Sequence, residues 1–113
     1  MESNGLFPER WTAVQEAIAR LAGIAILTYD GHGAPRAAAR VPELCRLLAT
    51  SPEGARRCAG GCGRQRAVAV AEGRTVFFRC HAGLHCFAAP LTAAGPACSL
   101  LGGLALERAA DVD

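Results

Sequence analysis

The chain contains no lysine: all 12 of its cationic residues are arginine, set against 10 acidic ones. The resulting formal charge of +2 is small and evenly spread, so electrostatic recruitment of nucleic acid is excluded as an expectation. No apolar run approaches the roughly 20 residues that a membrane helix requires, and no membrane partner is expected. A basic segment followed by an apolar stretch is missing from the start, so no signal peptide is read there and a cytoplasmic location is expected. Tandem repeats and low-complexity tracts are absent too. So are a Cys-x2-Cys redox pair, the His-x-Glu and Pro-Cys-x2-Cys set of a zinc deaminase, and a phosphate-binding glycine loop.

What is present is cysteine. Six stand among 113 residues, in a chain that is 51% hydrophobic and 19% charged. That balance describes one soluble globular domain with a core of its own. In a reducing compartment, six cysteines favour metal or redox chemistry over a disulfide framework.

Phe7, Trp11, Val14, Ile18 and Leu21 recur at helical spacing and predict an amphipathic helix over residues 7–22, with Pro8 in the first turn and Gly23 as its stop. The seam is expected to pack into the core, with a dimer contact as the alternative. "GIAILTYDGHGAP" predicts a strand and a turn at Asp30–Gly33. In "VPELCRLLAT" a helix starting at Pro42 would place Val41, Cys45 and Leu48 on one inward side. "SPEGARRCAGGCGRQRAVAVAEG" predicts a helix capped by Ser51 and closed by Gly73. Its glycines Gly54, Gly60, Gly61 and Gly63 each cost about 1 kcal/mol in a helix interior. A distortion around residues 60 to 63 follows, of the kind that lets backbone approach something closely. Arg56, Arg57, Arg64 and Arg66 read as a solvated helix face, with guanidinium groups held near thiolates as the functional alternative. Three strands complete the chain: "RTVFFRC", with Val76, Phe78 and Cys80 on one face, then "HCFAAPLT" and "ACSLLGGLAL". The order predicts an α+β fold with an antiparallel sheet and helices packed mainly on one side.

Cys58 and Cys62 lie four apart, which places both thiols on one helix face. Cys45 and Cys80, both inward, could complete a four-thiolate site for zinc or an iron–sulfur cluster. Buried free thiols are the plain alternative, because cysteine is among the most buried residue types. A register with residue 92 opposite 97 sets Cys86 against Gly103 and Cys98 against Leu91, which rules out a disulfide between the two cysteines and makes both core residues. His81 gains interest from its neighbour Cys80; His85 and His32 are given no role. A thiol enzyme with Cys80 as nucleophile is disfavoured, because adjacent residues on a strand point to opposite faces and no carboxylate stands near His81 in sequence.

With these residues in view, the chain resembles a PocR-type sensory domain, a variant of the PAS/GAF-like ligand-binding fold of bacterial signalling proteins. The resemblance runs from Trp11 to Leu106 and is carried by "GIAILTYDGHG", "PELCRLLATSPEGARRC", "FFRCHAGLHCFAAPL" and "SLLGGLAL". It implies a sensory domain over residues 1–106 and a tail over 107–113. It also implies a sensor without catalytic activity, holding a small molecule or inorganic ligand between sheet and helices and acting on a signalling output partner. Family members are proposed to sense small hydrocarbon derivatives such as propanediol, and their cysteines have suggested a bound metal. The matching positions are Cys45, Cys58, Cys62 and Cys80 as metal ligands, with His81 and Gly83 lining the same pocket and Leu84 in the motif. The expected cofactor is an iron–sulfur cluster, 4Fe–4S ahead of zinc. The "CAGGC" interval departs from the Cys-x2-Cys pair expected there. Rival readings are a metal-free sensor of small diols, a GAF-like thiol-dependent reductase and a zinc-stabilised interaction module; a homodimer would form through the first helix.

Overall fold

A computed structural model describes residues 10–92 and 95–105. Helix α1 (Thr12–Ala22) leads into β1 (Ala25–Tyr29) and β2 (Pro35–Ala39). Helix α2 (Glu43–Ala49) follows, then α3 (Pro52–Cys58), a π-helical turn (Ala59–Gly63) and α4 (Arg64–Glu72), these last three forming one uninterrupted helical run. Strands β3 (Val76–Arg79), β4 (His85–Pro90) and β5 (Ser99–Ala105) close the fold. The strands make one antiparallel sheet in the order β2-β1-β5-β4-β3. This is the expected α+β arrangement of PAS/GAF-like type. No helix among the described residues is long and apolar enough to cross a membrane. Phe7, Pro8 and the expected tail at 107–113 lie outside the described residues.

Alternation along β1 separates the two faces of the sheet. Leu27 and Tyr29 turn toward the main core, where Ala25, Ala69, Cys86, Ala88 and Leu101 are buried. Ile26 and Thr28 turn the other way, toward α1. Helices α2, α3 and α4 therefore share one face, and α1 covers β1 and β2 on the opposite one.

The expected apolar seam of α1 is not its buried face. Gln15 and Ala19 are fully buried, while Val14, Ile18 and Leu21 are exposed, Leu21 by 89%. The reason lies in the strand beneath. Trp11 Nε1 donates to Thr28 Oγ1 at 2.7 Å and to Gln15 Oε1 at 3.2 Å, and the Thr28 hydroxyl donates to the same Gln15 oxygen. A polar triad thus fixes the rotation of α1, and the small Ala19 lets it sit close to Ile26 and Ala39.

The long helical run starts and stops as its sequence dictates. Ser51 Oγ accepts from Gly54 N at 3.0 Å, Pro52 occupies the first turn, and Gly73 ends the run at φ +66°. The distortion expected at 60 to 63 is the π-helical turn. A close backbone approach occurs instead at Gly54, where a side chain would collide with the Leu48 carbonyl, while Gly60 and Gly61 face open space. In β4–β5 the pairing is Cys86 with Gly103 and Pro90 with Ser99, and Leu91 N donates to Cys98 O at 2.8 Å, the register expected. Both Cys86 and Cys98 are buried. A bulge at His85/Cys86 leaves Leu104 unpaired at φ +49° and turns it into the core.

Candidate functional site

Two hairpins in this chain use one loop design. Asp30 N donates to Ala34 O and Gly33 N to Asp30 O; Cys80 N donates to Leu84 O and Gly83 N to Cys80 O. Gly33 and Gly83 both stand at positive φ, +82° and +87°, which closes a three-residue loop with a left-handed third position. In "CHAGL" this turn presents Cys80 and His81 at the end of β3, toward the helices. Gly83 itself is absent from the cavity wall: its visible role is to make the turn, and Leu84 is the residue that lines the space.

The space is a cavity of about 560 Å³ between the sheet and helices α2 to α4. Cys45 reaches it from α2, Cys58 from the end of α3, Cys62 from the π-helical turn, and Cys80 and His81 from the hairpin. Val41 and Leu48 line it beside Cys45, as the helical spacing predicted. Apolar side chains supply most of the remaining wall, including Leu27 and Tyr29 from β1 and Leu101 and Leu104 from β5. The four cysteines expected as ligands, drawn from sequence positions 35 residues apart, thus open onto one volume. A π-turn is uncommon and often marks a functional position; here it carries Cys62 into that volume.

The thiols sense one another. Burial pushes Cys45 up to about 11, and the neighbouring Cys80, Cys58 and Cys62 add to the rise. Burial, then Cys62 and Cys80, also raises Cys58. Cys62 moves the opposite way, to about 7, chiefly through the neighbouring Cys86 thiol. The Arg66 guanidinium and the Cys80 thiol assist that shift, and burial opposes it. Cys86, whose thiol donates to Leu84 O at 3.4 Å, is held strongly protonated, first by Cys62 beside it and then by burial. All six cysteines are free.

Three features escaped the sequence. His81 Nε2 lies 3.3 Å from Cys58 Sγ, so its thiol partner is 23 residues distant and not the adjacent Cys80. Cys86, expected only in the core, packs directly behind Cys62 and Cys80. Arg66 does not belong to the solvated face: Arg56 and Arg57 pair with Glu53 outside, but Arg66 turns inward and stacks over the Tyr29 ring at 3.6 Å. Only the spacing of four from Cys62 could have signalled that placement.

Among the described residues, no three His, Cys, Asp or Glu side chains stand together closely enough to hold a single metal ion. A tetrahedral zinc requires four sulfurs about 2.3 Å from one point, and the side chains as placed do not converge in that way. The donor set itself, four cysteines on one wall with no carboxylate among the lining residues, has the soft-ligand chemistry of an iron–sulfur centre.

No curated protein and no solved structure matches the chain. Residues 6–106 match the family model described as the sensory domain found in PocR, which spans most of the sequence and includes every residue of the cysteine-walled cavity. The chain belongs to the PocR sensory-domain family.

Proposed function

We propose that this sensory domain receives its signal in the cysteine-walled cavity, and that Cys45, Cys58, Cys62 and Cys80 there ligate an iron–sulfur cluster, 4Fe–4S ahead of zinc. The observation that carries the reading is the opening of these four thiols, from separate elements, onto one volume. A cluster takes thiolates at positions spread over its own width, whereas one zinc ion demands convergence at a point. Bound there, the centre would supply redox or gas sensitivity. The residues of the chain do the rest: they exclude water with Leu27, Leu84, Leu101 and Leu104, and they offset thiolate charge with Arg66. A change of occupancy would repack α2 to α4 against the sheet. The outward seam of Val14, Ile18 and Leu21 is the surface through which a second copy or an output partner would feel that change.

Anaerobic purification tests the proposal. The expected protein is brown, with broad visible absorption and iron and acid-labile sulfide in roughly the four-to-four ratio of a cubane. A colourless, iron-free protein prepared in the same way would contradict it.

The apolar lining supports a second reading, in which the thiols stay reduced and the cavity takes a small neutral diol. In that case diols would raise the melting temperature of metal-free protein, following the usual linkage of binding to stability.

A further inference from the structure

Arg66 is the cation in this molecule whose surroundings are least accounted for. Its guanidinium carbon stands over the Tyr29 ring, 3.6 Å from the centroid. It has no carboxylate partner among the described residues, although Arg20, Arg36, Arg56, Arg57 and Arg74 each have one. Its Nε is fully buried and makes no hydrogen bond. An atom without accessible surface is closed to a cavity ligand as placed, so the donors of the fork that a ligand could meet are the terminal amino groups.

The surroundings indicate what kind of partner. Two arginines, Arg46 and Arg66, and one histidine, His81, stand on the cavity wall, and no aspartate or glutamate does. The rest is thiol and hydrocarbon. Stacking on an aromatic ring occupies one face of a guanidinium and leaves its in-plane N–H donors free, the fork that fits a carboxylate in bidentate fashion. A neutral diol would offer that fork no paired acceptor, and the Cys62 sulfur beside Arg66 answers its charge at a single point only.

We propose that Arg66, backed by Tyr29, is an anion subsite of this cavity, and that the organic ligand sensed here is a short-chain carboxylate. Its carboxylate would meet the guanidinium edge and its hydrocarbon chain would lie against Leu27, Leu101 and Leu104. The proposal rests on the reading that this cavity is the sensory site, but it does not need the inorganic centre to be present.

The test uses the full chain, with butyrate and propionate as probes, 1-butanol and 1,2-propanediol as neutral counterparts, and sodium chloride at matched ionic strength. Butyrate is expected to raise the melting temperature saturably, with neither the alcohols nor chloride doing so. Arg66→Gln should weaken butyrate at least ~10-fold, the loss of a charge-assisted hydrogen-bond pair. Arg66→Lys, which keeps the charge and loses the fork, should bind several-fold more weakly than the native chain, and it decides the matter if the glutamine variant does not fold. Equal stabilisation by 1-butanol or 1,2-propanediol, or unchanged butyrate affinity in the variant that folds, overturns the subsite. Iron is measured on the same samples. An iron-free native chain that binds butyrate through Arg66 overturns the inorganic centre alone, and an iron-loaded chain indifferent to butyrate overturns the subsite alone.

Discussion

Cys62 and Cys45 sit on the same cavity wall and are driven in opposite directions, and stability should register both. Cys62 ionises at about 7 in the folded chain and near 9 when free of it. Between those values the unfolded state holds a proton that the folded state has lost, so the reduced, metal-free protein should gain stability as pH rises from about 7 to 9, and lose that part as pH falls through 7. Cys45 ionises at about 11 when folded, again against 9. From about 9 to 11 the folded state keeps the proton, and stability should fall. Urea midpoints measured across pH 6 to 11 should therefore pass through a maximum near 9. In Cys86→Ala the rise between 7 and 9 should shrink, because the neighbour that chiefly lowers Cys62 is gone. Glycine gives a second test at this scale. Gly54→Ala sets a methyl group against the Leu48 carbonyl and should cost on the order of 1–3 kcal/mol. Gly60→Ala and Gly61→Ala meet nothing and should stabilise by about 0.5–1 kcal/mol each, all three read by chemical denaturation.

The elements of the main core were largely legible in the sequence. Local chemistry sets the caps at Ser51 and Gly73, the turn at Asp30–Gly33 and the inward side of Cys45, and local chemistry can be read from neighbours. The β4–β5 register was legible because the short connection leaves little choice of pairing. Helix α1 was not, and the reason is physical. Its apolar seam is real, but β1 offers Thr28 on the facing side, and a buried hydroxyl must find polar partners. Gln15 and Trp11 meet that need, so the helix turns its apolar residues outward. Thr28→Val should accordingly destabilise by about 1–3 kcal/mol in a thermal or urea melt, since it removes the nearer of the two acceptors of Trp11 and one of the two donors to the buried Gln15 oxygen. An apolar substitution that stabilised the protein would show that the triad does not hold α1 in place.

Across the whole molecule, the site is a product of topology. Order β2-β1-β5-β4-β3 puts β5 at the sheet centre with β1 beside it, and the inward residues of these two strands form the floor of a cavity roofed by α2 to α4. The sequence showed that four cysteines could face inward. It could not show that Cys58 would meet His81, that Cys86 would stand behind Cys62, or that Arg66 would enter, because those contacts depend on how the helical run lies across the sheet. The same geometry separates the cysteines into classes. Cys45, Cys58, Cys62 and Cys80 open on the cavity, Cys86 lies behind it, and Cys98 is buried at the far end of β5 without reaching it. The most direct measurement is iron bound per chain after anaerobic preparation, in the native protein and in single Cys→Ser variants at all six positions. The account expects iron in the native chain, a severe loss at positions 45, 58, 62 and 80, and native content at 98. Iron that survives all four cavity substitutions, or that never binds the native chain, would contradict it.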